Sequence, residues 1–310
     1  MIISSCAEKG KILLQNDASA RAKGLEIAAP MLDNIKNARG RCGTPGARIK
    51  EKVRGKMIFD THAHYDDGAF DADRDEVLFS LASRGVGLVV DPGCDVSSSR
   101  AALSLAERYP FIYAAVGIHP ENLGEDPMAA LGEIRALAAH EKCVAIGEIG
   151  LDYYWDRSRA EEQKAVFRAQ LALAVELGLP VIVHDREAHA DCLDICAEFP
   201  TARGVFHCFS GSAETAQILL RRGWYLGFDG PVTYKNARKT LEVLEITPLE
   251  RILVETDSPY LSPVPMRGKR NDSRNLVYII NKIAEIKGIT PQEAEEASCE
   301  NGRRLFKIDI

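Results

Sequence analysis

The chain has 310 residues, 46% of them apolar and 27% charged, enough to bury a large core and to exclude overall disorder. No apolar run approaches the roughly eighteen residues of a membrane span, and no apolar core with a small-residue cleavage site opens the sequence, so a cytoplasmic protein is expected. The net charge of -6 divides unevenly: residues 1–56 carry 12 Lys or Arg against 5 Asp or Glu, a balance of +7 that leaves -13 for the rest. A body that acidic excludes a broad polynucleotide-binding surface, and any contact with nucleic acid has to be local.

Residues 1–56 show no sustained period; Gly24 and Pro30 interrupt weak helical hints between Lys11 and Lys36, and GRCGTPG (Gly40 to Gly46) reads as loop. The segment is expected to be an irregular extension, disordered or foreign to the natural chain. The alternative, a basic arm on nucleic acid, is disfavoured because the segment has no aromatic residue to stack on bases. The eight cysteines are spread singly among apolar segments, as reduced core residues would be, and Cys192 with Cys196 lacks the second pair of a structural zinc site.

From Met57 onward, short apolar runs alternate with longer helical periods. The first is MIFDTHAH (Met57 to His64), in which a strand period of two would put Ile58, Asp60, His62 and His64 on one face. Then come GLVVDPG (Gly87 to Gly93), IYAAVGIHP (Ile112 to Pro120), VAIGEIGLD (Val144 to Asp152) and PVIVHDR (Pro180 to Arg186). GVFHCFSG (Gly204 to Gly211), WYLGFDG (Trp224 to Gly230) and ILVETDSPYL (Ile252 to Leu261) complete eight. Between the fourth and fifth, Ala165, Phe167, Leu171, Ala174, Val175 and Leu177 form an apolar stripe that Gly178 and Pro180 end. Eight such units over residues 57–310 predict an α/β fold, a single (β/α)8 TIM barrel. A doubly wound sheet would need a glycine-rich phosphate loop after its first strand, and none follows MIFDTHAH.

Polar residues collect at the carboxyl ends of nearly all these runs, which in a barrel converge on one mouth. Parity groups Val144, Ile146 and Glu148, then Ile182 with His184, Val205 with His207, and Leu253 with Glu255 and Asp257. Singly, each could be a hydrogen-bonded core residue or a paired carboxylate, but six such buried groups need a common partner. His62, His64, Glu148, His184, His207 and Asp257 are too many for one tetrahedral ion and suit two, with Glu148, central in strand order, as the bridge. His119, Tyr153 and Arg186, each just past a strand end, are candidates for a substrate phosphate, and Arg267, Lys269 and Arg270 for local positive potential.

In this order, MIFDTHAH, GIHP, AIGEIGLDYY, HCFSG and ETDSPYL resemble the TatD family of metal-dependent deoxyribonucleases, within the amidohydrolase-like barrels. The resemblance runs from Met57 to about Phe306, supported by RGKRN and the segment Asn301 to Phe306. It implies one metal on His62, His64, Glu148 and Asp257 and another on Glu148, His184 and His207, two divalent ions such as Mg2+, Mn2+ or Zn2+. It also implies hydrolysis of DNA phosphodiesters, commonly from a 3′ end, with some members cutting RNA. The chain departs from the pattern at HDR (His184 to Arg186), at Met266 and at Asp272 with Ser273, which bears on substrate details and leaves the ligand set intact. VAIGEIGLD contains no lysine that could be carbamylated to bridge metals, which separates the chain from lactonases and dihydroorotase-like enzymes. Glu148 and Asp257 are the expected catalytic carboxylates, Asp257 taking the proton of the attacking water. Rival readings are a hydrolase of a small ester, amide or aminoacyl-nucleotide, and a non-catalytic binding protein on the same scaffold; a monomer is expected.

A chain beginning at Met57 should match the full-length protein in melting temperature, metal content and hydrolysis of DNA. A large loss of melting temperature would show that residues 1–56 pack on the barrel, and a loss of DNA affinity largest at low salt and fading at high salt would restore the basic arm.

Overall fold

The computed structural model describes residues 57–309; the extension expected over 1–56 lies outside the described residues. Eight strands pair in parallel in sequence order: β1 (Ile58–Asp60), β2 (Val86–Pro92), β3 (Ile112–Val116), β4 (Cys143–Asp152), β5 (Val181–Arg186), β6 (Gly204–Phe206), β7 (Tyr225–Phe228) and β8 (Ile252–Val254). Backbone bonds from Thr61 N to Val254 O (3.2 Å), Asp257 N to His62 O (2.9 Å) and His64 N to Ser258 O (2.7 Å) join the last strand to the first. The fold is a (β/α)8 barrel, as the rhythm of the sequence predicts.

Helices follow the strands as crossovers: α1 (Arg74–Leu81), α2 (Val96–Arg108), α3 (Pro127–Leu137), α4 (Ala160–Leu177), α5 (His189–Glu198), α6 (Ala213–Arg221) and α7 (Arg238–Ile246). α8 (Leu276–Lys287) and α9 (Pro291–Phe306) close the chain. Local chemistry sets their ends. Asp95 and Ser98 form a capping box on α2, Thr290 and Glu293 another on α9 with Pro291 in its first turn, and Gly178 ends α4 in the left-handed region at φ +65°.

The core has two layers. Phe59, Leu88, Val90, Ala115, Ala145, Ile182, Val205, Tyr225 and Leu253 come from all eight strands and fill the barrel, joined by Leu305, Phe306 and Ile308 at the end of the chain. A larger cluster, including Val89, Ile146, Ile149, Val183 and the apolar faces of the helices, packs between strands and helices.

This division corrects the parity reading of two strands. In β1 the inward residue is Phe59, so Ile58 and Asp60 face the helices, and His62 and His64 reach the mouth only because the chain leaves the ladder after Asp60. In β4 the outward residues are Ile146 and Ile149, which pair with Val181 and Val183, so Gly147 and Glu148 together oppose the inward Ile182. That bulge turns Glu148 inward. Gly147 permits it, since a Cβ there would lie 2.7 Å from the Ile182 side chain. Parity holds where no break intervenes: Ile182, Val205 and Leu253 are inward.

The α4 face also differs from the apolar stripe. Val175 and Leu177 are exposed, while Gln163 and Gln170 are buried. Their amides hold strand-end backbone: Gln170 bonds both Ile118 N (2.8 Å) and Ile118 O (3.0 Å), and Gln163 bonds Asp152 N and O, each at 3.0 Å. A count of apolar residues cannot see a buried glutamine whose partners are backbone groups.

Asp60 is the knot beneath the mouth. Fully buried, it accepts from Thr256 N (3.0 Å), Thr256 Oγ1 (2.7 Å) and Ser273 Oγ (2.6 Å), tying β1 to the loops after β8. Asn271 of the RGKRN run serves the same region, donating to Thr256 O at 2.9 Å. Asp60→Ala would strand these buried donors and should destabilise the barrel by about 3 kcal/mol, read as a lower denaturant midpoint at unchanged slope. A shift within a few tenths of a kcal/mol would show that the loops are held by other contacts.

Candidate metal centre

The expected ligands meet at the carboxyl end of the barrel. Glu148 and His184 come from within β4 and β5, His207 just after β6, and His62, His64 and Asp257 from the segments that leave β1 and β8. Asp257 sits in the left-handed region at φ +54°, a conformation Asp tolerates better than most residues.

Glu148 divides the donors into two sets. Its Oε2 lies 3.4 Å from His62 Nε2 and 3.6 Å from His64 Nε2; Asp257 Oδ1 is 3.6 Å from each of those nitrogens, and the two nitrogens are 3.1 Å apart. Its Oε1 lies 2.8 Å from His184 Nδ1 and 2.7 Å from His207 Nε2, which are 3.3 Å apart. This second set has three donors, leaving room for water or substrate.

Several imidazoles are oriented from behind. His64 Nδ1 donates to Pro92 O at 3.0 Å and His184 Nε2 donates to Asp152 Oδ2 at 2.9 Å, leaving His64 Nε2 and His184 Nδ1 as the lone pairs aimed at Glu148. The ring of His207 stacks on that of His62 with centroids 4.0 Å apart. Ring nitrogens 3.1 to 3.3 Å apart, gathered around two carboxylates with no lysine or arginine in the set, are an arrangement that a shared cation would hold. The donor set therefore fits divalent metal.

The electrostatics match. Burial, aided by His207, lowers His62 to a pKa of about 4 and keeps it neutral. Burial alone would raise Glu148, but His207, His119 and His62 hold it well below the carboxylate range. His184 is pulled down by burial yet raised to about 10 by its bonds to Asp152 and Glu148, a site where a proton stands in the place of a metal charge.

The substrate candidates fare differently. His119 Nδ1 accepts from Glu121 N at 3.2 Å, so Nε2 carries the proton and points toward Glu148 Oε1, 3.5 Å away. Burial lowers its pKa and keeps it a neutral donor at the second donor set. Tyr153 does not face the cluster: it alternates with Leu151 on the helix side, and its hydroxyl donates to Asp191 Oδ2 at 2.6 Å. Arg186 lies over the Tyr154 ring, its Cζ 3.9 Å from the centroid. Arg270 is taken up by Asp73 at 2.7 Å, and Arg267 stacks over Tyr234 at 4.0 Å.

Two roles were missed in the sequence. Asp152 buttresses His184, and its place four residues beyond Glu148 in the same run was the available signal. Glu255 lies buried beneath His207, its Oε1 3.7 Å from Nδ1, and accepts from Cys208 N at 2.5 Å. Asp91, polar at the end of β2, faces Asp66; burial raises both carboxyls, and the neighbouring charge and hydrogen bond of Asp66 raise Asp91 further. The six described cysteines are free thiols, with Cys192 and Cys196 buried as packing residues. No helix among the described residues is long and apolar enough to cross a membrane.

Residues 59–307 match the family model described as TatD related DNase. The chain is 45% identical over 255 residues to the "Uncharacterized metal-dependent hydrolase YabD" of Bacillus subtilis, covering 82% of this chain and 100% of that protein. It is 35% identical over 260 residues to the "3'-5' ssDNA/RNA exonuclease TatD" of Salmonella typhimurium, covering 81% of this chain and 99% of the relative. Among solved structures it is similar to YjjV, a TatD homologue from Escherichia coli, with a TM-score of 0.77 at 32% identity over 81% of this chain and 98% of that one. The chain therefore belongs to the TatD-related DNase family and is a metal-dependent hydrolase acting on ester bonds.

Proposed function

We propose that this chain hydrolyses phosphodiester bonds of DNA, and of RNA as a second substrate, as a 3′-5′ exonuclease with two divalent metal ions. The observation that carries the reading is Glu148, whose two carboxylate oxygens each serve a separate donor set. A single-metal site would leave one set of lone pairs uncompensated. The matched relative named as an exonuclease supports the substrate class.

His62, His64, Glu148 and Asp257 would hold one ion, and Glu148, His184 and His207 the other. Bound there, divalent cations neutralise charge on the phosphoryl oxygens and make water acidic enough to attack at neutral pH. The chain's own residues do the rest. Asp257, at the edge of the first donor set, accepts the proton of the attacking water. His119 presents its neutral Nε2–H to a phosphoryl oxygen, a fixed donor where charge develops. Asp152 keeps His184 in one tautomer, and Gln163 keeps the Asp152 backbone in place.

The purified protein should degrade single-stranded DNA and RNA with Mg2+ or Mn2+ and be inactive without metal, while a generic ester is a poor substrate. Glu148→Gln, which keeps the shape and removes the charge, should lower turnover by orders of magnitude in a folded barrel with less bound metal. Near-normal activity at unchanged metal content would sink the bridging role. Asp152→Ala should weaken metal binding about 10- to 100-fold in a calorimetric titration with Mn2+. Unaltered affinity would mean that packing alone orients His184.

A further inference from the structure

The segment joining β4 to α4 begins with two large rings left open to solvent. Tyr154 is 55% and Trp155 50% exposed, adjacent in the chain and packed edge to face with centroids 4.8 Å apart. Solvent exposure on this scale is unusual for two neighbouring aromatic side chains, and their position beside the metal centre gives it a use.

The rings are held from three directions. Asp152 Oδ1 accepts from Tyr154 N (2.8 Å) and Trp155 N (3.3 Å), while its other oxygen holds His184. One carboxylate thus fixes both the aromatic pair and a metal-ligating imidazole. Gln163 bonds the Asp152 backbone and reaches Asp156 O at 3.4 Å, bracing the far side of the turn. Arg186, two residues after His184, lays its guanidinium over Tyr154 at 3.9 Å and reaches Trp155 at 5.4 Å. Tyr153 N bonds Arg186 O at 3.0 Å, tying the two segments together.

We propose that Tyr154 and Trp155, backed by Arg186, form a stacking platform for an unpaired nucleobase next to the phosphate being cleaved. The inference rests on the phosphodiesterase reading above and names what that site selects, a single strand. Every base has a π-face, so aromatic stacking is tolerant of sequence. In a duplex those faces are already covered by neighbouring bases, and only a single strand or a frayed end can offer one. A guanidinium stacked on a ring adds positive charge without a salt bridge and suits a base carried on a polyanion. A small ester has no use for such a platform.

Trp155 is its own reporter, because the only other tryptophan, Trp224, is 2% exposed in the core. Titration of the protein with a phosphorothioate oligothymidylate should quench the exposed tryptophan, and a blunt duplex of the same length should quench it far less. Trp155→Ala should raise KM for single-stranded DNA about ten-fold or more at unchanged metal stoichiometry, and Trp155→Phe should restore most of the loss. Replacing the terminal nucleotides with abasic ones should weaken binding to the wild type by a similar factor, and combining the abasic strand with Trp155→Ala should cost little more than either change alone. Absence of quenching on binding, or equal KM for wild type and Trp155→Ala on a single strand that both hydrolyse, would overturn the platform and leave the phosphodiesterase reading standing. Failure to hydrolyse any nucleic acid with Mg2+ or Mn2+, alongside hydrolysis of an ester, would overturn both.

Discussion

The mouth of this barrel is governed by the cost of collecting lone pairs in a buried place. Four imidazoles and two carboxylates converge around Glu148 with no lysine or arginine among them, and nitrogen atoms approach to 3.1 and 3.3 Å. Burying so many polar groups is costly, and although the histidines and carboxylates offset part of that cost among themselves, shared cations would offset more. Only a rigid frame keeps the arrangement from relaxing. The parallel ladder supplies that frame, and the bulge at Gly147 and Glu148 brings the bridging carboxylate into it.

Behind the donors stands a second set of polar residues whose task is to leave each donor one orientation. Pro92 O holds His64, Asp152 holds His184, and Asp60 with Thr256, Ser273 and Asn271 fixes the segments that carry His62 and Asp257. These bonds are buried and mutually dependent, so removing one partner strands the others. Asp152 does double duty: the same carboxylate that orients a ligand also anchors the backbone of the exposed rings. The spacing between metal chemistry and substrate contact is thereby set by one short stretch of β4.

How much of this was legible in the sequence depended on whether a strand ran unbroken to its end. In β5, β6 and β8, alternation alone places Ile182, Val205 and Leu253 inside, with His184, His207 and Glu255 continuing the same faces. In β1 and β4 the candidate ligands reach the mouth from other faces than alternation gives, because a strand exit and a bulge each shift the period by one. Periodicity carries no signal for either event. Tyr153 lies away from the cluster for the same reason in reverse: alternation continues past Asp152 and sends it to the helix layer, while the loop after it exposes Tyr154 and Trp155. Gln163 and Gln170 escaped notice because their partners are backbone atoms of distant strands.

Charge places the remaining constraint on how a polyanion can be held here. Residues 57–310 carry -13, and the basic run near β8 offers less than its composition promises, since Arg270 is paired with Asp73 and Arg267 lies over Tyr234. At physiological salt such charges act over about 8 Å, so attraction has to come from close to the mouth. On the phosphodiesterase reading, metal charge at the donor sets would supply most of it and stacking on uncharged faces the rest. Each term favours a different part of the substrate: the metal centre takes the phosphate whatever strand it belongs to, and the rings take a base only when it is free. An acidic body carrying a small cationic centre beside exposed aromatics is thus better suited to a strand end than to the long flank of a duplex.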